Sequence, residues 1–322
     1  MSNVTESLVL RVEHVRAEAK DVLAFELASL DGCDLPPFTP GAHLELQLRN
    51  GKIRHYSLLN DPAERHRYVI AVGLAQETRG GSRFIHESLR QGDTLVVNGP
   101  RNNFPLDEEA SRYCFVAGGI GITPILSMIR WCVRHAKEWR LVYAARNRTR
   151  AAFYEELLAL DPQRAQFHFT DEHQGAHLPV GTLVTSLGAD EQLYCCGPEP
   201  LMQAVKSASS TIANRVHFEW FTPPELPQPE VVGSAGFEVV LRRTGRSIQV
   251  SDDQSILDAL EANGVEAPFS CRAGICRTCE TTVCAGTPDH RDHVLSAEER
   301  AAGTSMMICV SRALGPSLEL DL

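Results

Sequence analysis

The sequence predicts a multidomain chain of three unlike folds. An antiparallel β-barrel comes first, then an α/β domain on a parallel sheet, then a compact cysteine-rich β domain. Three observations carry this. Short apolar runs punctuated by Gly and Pro clusters fill the first hundred residues. Apolar strands alternate with helix-like stretches from about 107 to 224. Five of the ten cysteines fall within 236–322. A length of 322 residues accommodates two or three domains.

The elements follow in order. Residues 8–15 and 22–27 are rich in apolar and β-branched side chains, and 43–48 alternate polar with apolar, as a half-buried strand does. Runs at 53–58, 68–72 and 94–97 complete a barrel over 1–106, with one helix near 84–89. The next domain spans 107–224. Its strands are read at 113–117, 141–145, 166–169, 193–196 and 216–220, and its helices at 124–135, 152–160 and 201–208. Pro124 stands in a first helical turn, where its missing N–H costs nothing. Four prolines between 222 and 229 mark a stiffened connection, with the linker itself placed at 225–235. In 236–322 a hairpin turning at Gly245 precedes a helix at 256–263 and then the cysteine loop. That is the order of elements in a β-grasp ferredoxin.

Composition narrows the function. The net charge of −10 leaves no general excess of cations for nucleic acid. No apolar run approaches 18 residues, so no membrane span is expected. Residues 1–10 carry Glu6 and lack a basic leader, so a secretory signal is not expected. Ten cysteines without such a signal suggest a reducing compartment, the cytoplasm.

Cys271, Cys276, Cys279 and Cys309 are spaced C-x4-C-x2-C-x29-C, the plant-type [2Fe–2S] pattern. Two bridged irons need four thiolates. Three come from one tight loop and the fourth from a distant strand. Ala273 and Gly274 leave room for backbone amides to approach the sulfides. A zinc ribbon would show two C-x2-C knuckles, and only one is present. Cys33, Cys114, Cys132, Cys195 and Cys284 have no partner spacing and read as core or bystander thiols.

Arg54-His55-Tyr56-Ser57 ends an early strand, and Arg79-Gly80-Gly81-Ser82 opens the helix near Phe84. A flavin phosphate needs a fixed cation and backbone amides. Arg54 offers the first, and a Gly-Gly-Ser turn at a helix N-terminus offers the second. Tyr56 supplies an aromatic face and Ser57 a hydroxyl. Gly118, Gly119, Gly121 and Thr123 lie in a turn between a buried strand and a helix, where doubly wound sheets bind dinucleotides. Pro124 occupies the last position of what would be a G-x-G-x-x-G. Cys196, Gly197 and Pro198 form a second strand-to-helix loop, expected to flank the same crevice.

These motifs, with 218–221 and the tail motif Asp289-His290-Arg291-Asp292, resemble the phthalate dioxygenase reductase family over nearly the whole chain. The resemblance implies FMN in the barrel, NADH in the α/β domain and a [2Fe–2S] cluster at the C-terminus. It implies that Ser57 hydrogen-bonds the flavin ring, that Ala71, Val72 and Gly73 line its edge, and that Gly81 and Ser82 hold the phosphate. Phe221 would shield the flavin face, and Cys196 would stand near the hydride-transferring carbon. Electrons would pass from NADH through FMN and the cluster to a Rieske-type terminal oxygenase of an aromatic acid, an aryl ether or a quaternary amine. Arg277 departs from the family pattern, where Gly is usual, and so does Trp220.

Other features read more plainly. His168, His173 and His177, and the pair His290 and His293, are weak metal candidates and otherwise surface or supporting histidines. Arg146, Arg148 and Arg150 either face an adenosine 2′-phosphate or form a solvated loop. The acidic C-terminal domain could steer a basic partner. Two other functions remain open at this level: a stand-alone diaphorase or quinone reductase, and a zinc-stabilised interaction module.

Overall fold

The structure, a computed structural model, describes residues 7–75, 80–222 and 236–322. Arg79 and the expected linker at 225–235 lie outside the described residues. The chain divides into two compact units, Met1–Phe221 and Thr222–Leu322.

The first unit opens with β1 (Ser7–Ala19), β2 (Val22–Ser29), β3 (His43–Gln47), β4 (Ile53–Ser57), β5 (Tyr68–Gly73), helix α1 (Gly81–Ser88) and β6 (Thr94–Arg101). The antiparallel sheet runs β4-β3-β6-β1-β2-β5, and a bridge from Leu58 to Ile70 ties its two edges into a barrel. Period-two alternation drives this. Leu10, Val12, Phe25, Leu27, Leu44, Leu46 and Val97 all turn inward and are buried. Strand β1 outruns its expected end at residue 15, with register shifts at Val12/His14 and Ala17/Ala19 as charged side chains begin to alternate. Helix α1 starts at Gly81, earlier than expected, because Gly80 takes a left-handed φ of 86° and turns the chain into it.

The same unit continues with β7 (Arg112–Gly118), α2 (Ile122–Arg134), β8 (Glu138–Ala145), α3 (Tyr154–Leu160), β9 (Ala165–Phe169), α4 (Val180–Thr185), β10 (Glu191–Cys196), α5 (Glu199–Ala208) and β11 (Val216–Glu219). All neighbours are parallel, in the order β11-β10-β7-β8-β9. The order reverses between β7 and β10, so a crevice opens at the carboxyl ends of those strands. One apolar cluster joins the two halves of the unit: Val22, Ala24, Val69 and Ala71 of the barrel pack with Phe115, Ile122 and Ile125. Arg134 adds an ion pair to Asp61 at 2.8 Å, and Arg130 reaches both the Leu59 carbonyl and Glu156.

The second unit holds β12 (Phe237–Leu241), β13 (Ser247–Val250), α6 (Ile256–Ala262), β14 (Glu280–Ala285), β15 (Pro288–Asp289), α7 (Ala297–Ala302), β16 (Ser305–Met307), β17 (Arg312–Ala313) and β18 (Ser317–Leu320). Its main sheet is ordered β13-β12-β18-β14-β16, with β12 and β18 parallel and the other pairs antiparallel. Helix α6 begins at a capping box formed by Ser255 and Asp258. Its face of Ile256, Leu257 and Leu260 joins the core under the sheet. This is the β-grasp arrangement, with the cysteine loop between α6 and β14.

Among the described residues no helix is long and apolar enough to cross a membrane.

Candidate cofactor sites

The first site lies where β4 and α1 meet. An ideal Cβ on Gly81 would stand 2.4 Å from the Arg54 Nε, so only glycine lets the guanidinium lie against the helix start. A Cβ on Gly80 would stand 3.0 Å from the Lys52 Cε. Two cations and the first turn of a helix therefore share one place, which fits a phosphate monoester. Lys52 was not singled out from sequence. The Lys-x-Arg spacing at the entry to β4 was its signal. Ser82 accepts from the Ala75 N–H at 3.4 Å, which ties the same turn to the end of β5.

Strand alternation sorts the remaining barrel residues. Tyr56 is half-buried against the barrel core. His55 turns to the opposite face, stacked on His43 with centroids 5.1 Å apart and its Nε2 3.4 Å from Glu45. Burial pushes the His43 imidazole down to about 3, so it is neutral. Val72 points into the barrel core, and its carbonyl bonds the His86 ring at 2.8 Å. Ala71 faces the apolar seam with the α/β half, and Gly73 stands 3.5 Å, measured from an ideal Cβ, from Ile120. The end of β5 thus abuts the glycine loop that follows β7.

That loop is shaped by contact with its neighbour. A Cβ on Gly118 would meet Pro198 at 2.5 Å, and one on Gly121 would meet the Cys196 carbonyl at 2.2 Å. A Cβ on Gly197 would stand 2.9 Å from the Gly118 nitrogen. Three of the four glycines therefore let the loops after β7 and β10 touch. Gly119 differs: its φ is 54° and nothing lies within 4 Å of its Cβ position, which leaves open space at the start of α2. This fits a dinucleotide pyrophosphate. The Thr123 hydroxyl donates to the Ile120 carbonyl at 3.0 Å and shapes the turn.

Ser57, Cys196 and a residue not singled out from sequence, Glu219, come together where barrel and parallel sheet meet. Cys196 and Glu219 are register partners across β10 and β11. The Glu219 carboxyl is hydrogen-bonded to Ser57, while its Oε2 is buried without a partner. Burial pushes Glu219 up to about 8, opposed by the Ser57 bond. Burial foremost, then Glu219, holds the Cys196 thiol well above its ordinary value. Both groups are neutral near pH 7. A carboxylate as the last residue of a strand that ends beside the crevice was the missed signal. Phe221, two residues on, is 38% exposed. Trp220 tilts against Phe218 and packs on the cluster formed with Cys195 and Met202.

Two of the three arginines after β8 are engaged. Arg148 pairs with Glu172 at 3.2 Å and lies over the rings of Tyr154 and Phe169, and Arg150 pairs with Asp21 at 3.0 Å. Arg146 is exposed.

In the second unit the four predicted thiols converge. Cys271 is within hydrogen-bond reach of both Cys276 and Cys309, and Cys309 also of Cys279. The Ala273 N–H points at the Cys271 Sγ at 3.3 Å. Four thiols strung in this way, with backbone amides between them, fit a two-iron cluster. Cys284 stands apart on β14. His290 and His293 gather no third ligand, and among the described residues no three side chains, the four thiols included, are arranged to hold a single metal ion. The His290 ring is buried 3.8 Å from Asp292.

Flavin cradle, dinucleotide crevice and thiol cage together define a nicotinamide-dependent flavin and iron–sulfur oxidoreductase. Known proteins agree. Residues 239–314 match the 2Fe-2S iron-sulfur cluster binding domain, and 115–207 the oxidoreductase NAD-binding domain. The chain is 46% identical over 314 residues to phenoxybenzoate dioxygenase subunit beta of Ectopseudomonas oleovorans, covering 97% of each. Among solved structures it is similar to phthalate dioxygenase reductase, a modular structure for electron transfer from pyridine nucleotides to [2Fe–2S], with TM-score 0.71, 38% identity and 98% of both chains covered. It also matches an intact type IV self-sufficient cytochrome P450 monooxygenase with TM-score 0.92 and 38% identity, but spans only 41% of that longer chain. The chain belongs to the phthalate dioxygenase reductase family. The zinc-module alternative fails, because the cysteine loop is part of a 2Fe-2S domain.

Proposed function

We propose that this chain is the reductase component of a Rieske-type oxygenase system in the cytoplasm. Residues 1–106 are assigned to FMN, 107–224 to NADH, 225–235 to a linker and 236–322 to the [2Fe–2S] cluster. When bound, a flavin takes a hydride from a nicotinamide and yields single electrons, and a [2Fe–2S] cluster carries one at a time. The chain's own residues supply place and charge. Lys52, Arg54 and the turn of Gly80, Gly81 and Ser82 hold the phosphate. Tyr56, Ala71, Val72 and Gly73 border the ring, with Val72 contributing backbone only, and Phe221 covers a face. His55 braces β4 from the other side. Gly118, Gly119, Gly121, Thr123, Gly197 and Pro198 shape the dinucleotide crevice. Cys271, Cys276, Cys279 and Cys309 hold the cluster.

The observation that carries the reading is the seam of Ser57, Cys196 and Glu219. It joins the flavin-side strand to the nicotinamide-side strands; Ser57 and Cys196 are buried, the half-buried Glu219 keeps its Oε2 out of solvent, and thiol and carboxyl are uncharged near neutral pH. An uncharged seam opposes no anion to a migrating hydride and excludes water.

The acceptor is proposed to be a terminal oxygenase acting on an aromatic acid, an aryl ether or a quaternary amine. The test is NADH-driven reduction of a purified Rieske oxygenase by the wild type and by Cys276→Ser. The wild type should reduce it, and the variant should not, although its flavin still bleaches with NADH. Equal reduction by both would mean that the flavin donates directly, as in a diaphorase.

A further inference from the structure

The tail motif at 289–292 and the departure at Arg277 take no part in the flavin or nicotinamide sites, yet the structure brings them together. The cysteine loop meets the segment near 290–299 at two left-handed residues, Gly274 between Cys271 and Cys276 and Arg277 between Cys276 and Cys279. At the first, Gly274 has φ +66°, and a Cβ there would stand 3.0 Å from the Asp292 Cα. Its carbonyl accepts the His293 N–H at 2.9 Å. At the second, Arg277 holds a left-handed φ of 58°, strained for any residue with a Cβ. Its side chain turns back to the same segment. The guanidinium donates to the Glu299 carboxylate at 3.0 and 2.6 Å and to the Val294 carbonyl at 2.7 Å, with Glu280 at 3.5 Å. This two-pronged geometry is the strong form of an ion pair.

The segment is itself built around one buried carboxylate. Asp292 is fully buried, and its Oδ1 accepts the N–H groups of Val294 at 3.0 Å and Leu295 at 2.8 Å. Arg300 donates to the Asp292 carbonyl at 2.6 Å and to the Leu295 carbonyl at 3.1 Å. Arg291 donates its backbone N–H to Ser311 at 3.2 Å, two residues beyond Cys309. Residues 291–299 thus touch the loop at Gly274 and at Arg277, and the chain beside the fourth cysteine.

We propose that residues 289–300 form a strap that holds the three-cysteine loop in its cluster-bearing shape, fastened by Arg277 to Glu299 and organised by Asp292. The proposal rests on the assignment of the four cysteines to a [2Fe–2S] cluster. Arg277 is then a positioning residue. Its charge is spent within the domain on Glu299 and Glu280, and its effect on the cluster runs through the loop amides that face the sulfides.

The test uses the full-length holoprotein with Arg277→Ala, Arg277→Lys, Glu299→Gln and the double variant Arg277→Ala/Glu299→Gln. Iron release to excess chelator and the EPR spectrum of the dithionite-reduced cluster are measured. Arg277→Ala should release iron about fivefold faster, from loss of one partly exposed two-pronged pair. Glu299→Gln should add little in the Arg277→Ala background. Arg277→Lys should recover part of the lifetime, and the EPR line should shift with the release rate. Glu299 also caps α7 through the Ser296 N–H at 2.7 Å, but that contribution appears in both backgrounds and cancels in the cycle. Wild-type release rates with an unchanged EPR line in Arg277→Ala would overturn the strap, as would fully additive effects. A wild-type protein without iron and sulfide would instead overturn the cluster assignment.

Discussion

Replacing Glu219 by Gln tests the buried seam through its protons. An unfolded Glu titrates near 4.5, and the buried one near 8. Between those values the folded state keeps a proton that the unfolded state has lost. The unfolded state is therefore favoured as pH rises, at about 1.4 kcal/mol per pH unit. From pH 5 to 7.5 the loss accumulates to about 3 kcal/mol. Below 4.5 both states are protonated and above 8 both are ionised, so the slope vanishes outside the window. Glutamine keeps the shape and cannot ionise. The stability difference between Glu219→Gln and the wild type should therefore grow by about 3 kcal/mol between pH 5 and 7.5. The assay is urea unfolding followed by tryptophan fluorescence, with FMN in excess. All three tryptophans, Trp131, Trp139 and Trp220, lie in the first unit, so the signal reports that unit alone. Other titrating groups cancel in the difference. Parallel pH profiles for the two proteins would show that Glu219 is ionised in the folded state and would refute the neutral seam.

Three further outcomes are expected. Arg54→Ala should weaken FMN binding by about 10- to 100-fold, the worth of a charged hydrogen bond to a phosphate, read by flavin fluorescence quenching. Gly121→Ala, which drives a Cβ to 2.2 Å from the Cys196 carbonyl, should cost at least about 2 kcal/mol in the tryptophan-monitored transition, whereas Gly119→Ala, facing open space, should cost about 1 kcal/mol. Stripping FMN should lower the stability of the first unit by about 2.7 kcal/mol relative to protein at 100 times the Kd, measured by the same urea transition.

Much of this molecule was legible because its chemistry is local. The cysteine spacing alone requires one loop and one distant contributor; the thiols of Cys271, Cys276, Cys279 and Cys309 do come within reach of one another in pairs, although Cys309 lies in the turn after β16 and not on the expected strand. Strand periodicity placed the barrel and the parallel sheet, since each strand buries its own apolar set. What stayed hidden depends on elements far apart in sequence. Glu219 stood within the 218–221 motif with no role of its own until the barrel brought Ser57 to it. Lys52 gained meaning only when Gly80 folded against its side chain. The glycines of the loop after β7 suggested close approach of a ligand, but Gly118 and Gly121 instead admit the neighbouring loop, and Gly119 is the one that faces open space. Arg277 stood out only as a departure from the family pattern, and its role shows once its side chain turns back to Glu299. Short elements such as α4, β15 and β17 carry too little periodicity to be read from the chain alone.

The central claim is that electrons from NADH pass through the flavin to the cysteine-bound cluster. It is tested most directly by adding NADH anaerobically to the purified holoprotein and recording the visible spectrum and the low-temperature EPR together. Bleaching of the flavin bands and of the iron–sulfur absorption, with the EPR signal of a reduced [2Fe–2S] cluster, is the expected result. Bleaching of the flavin alone, with the iron–sulfur absorption unchanged and no cluster signal, would contradict it.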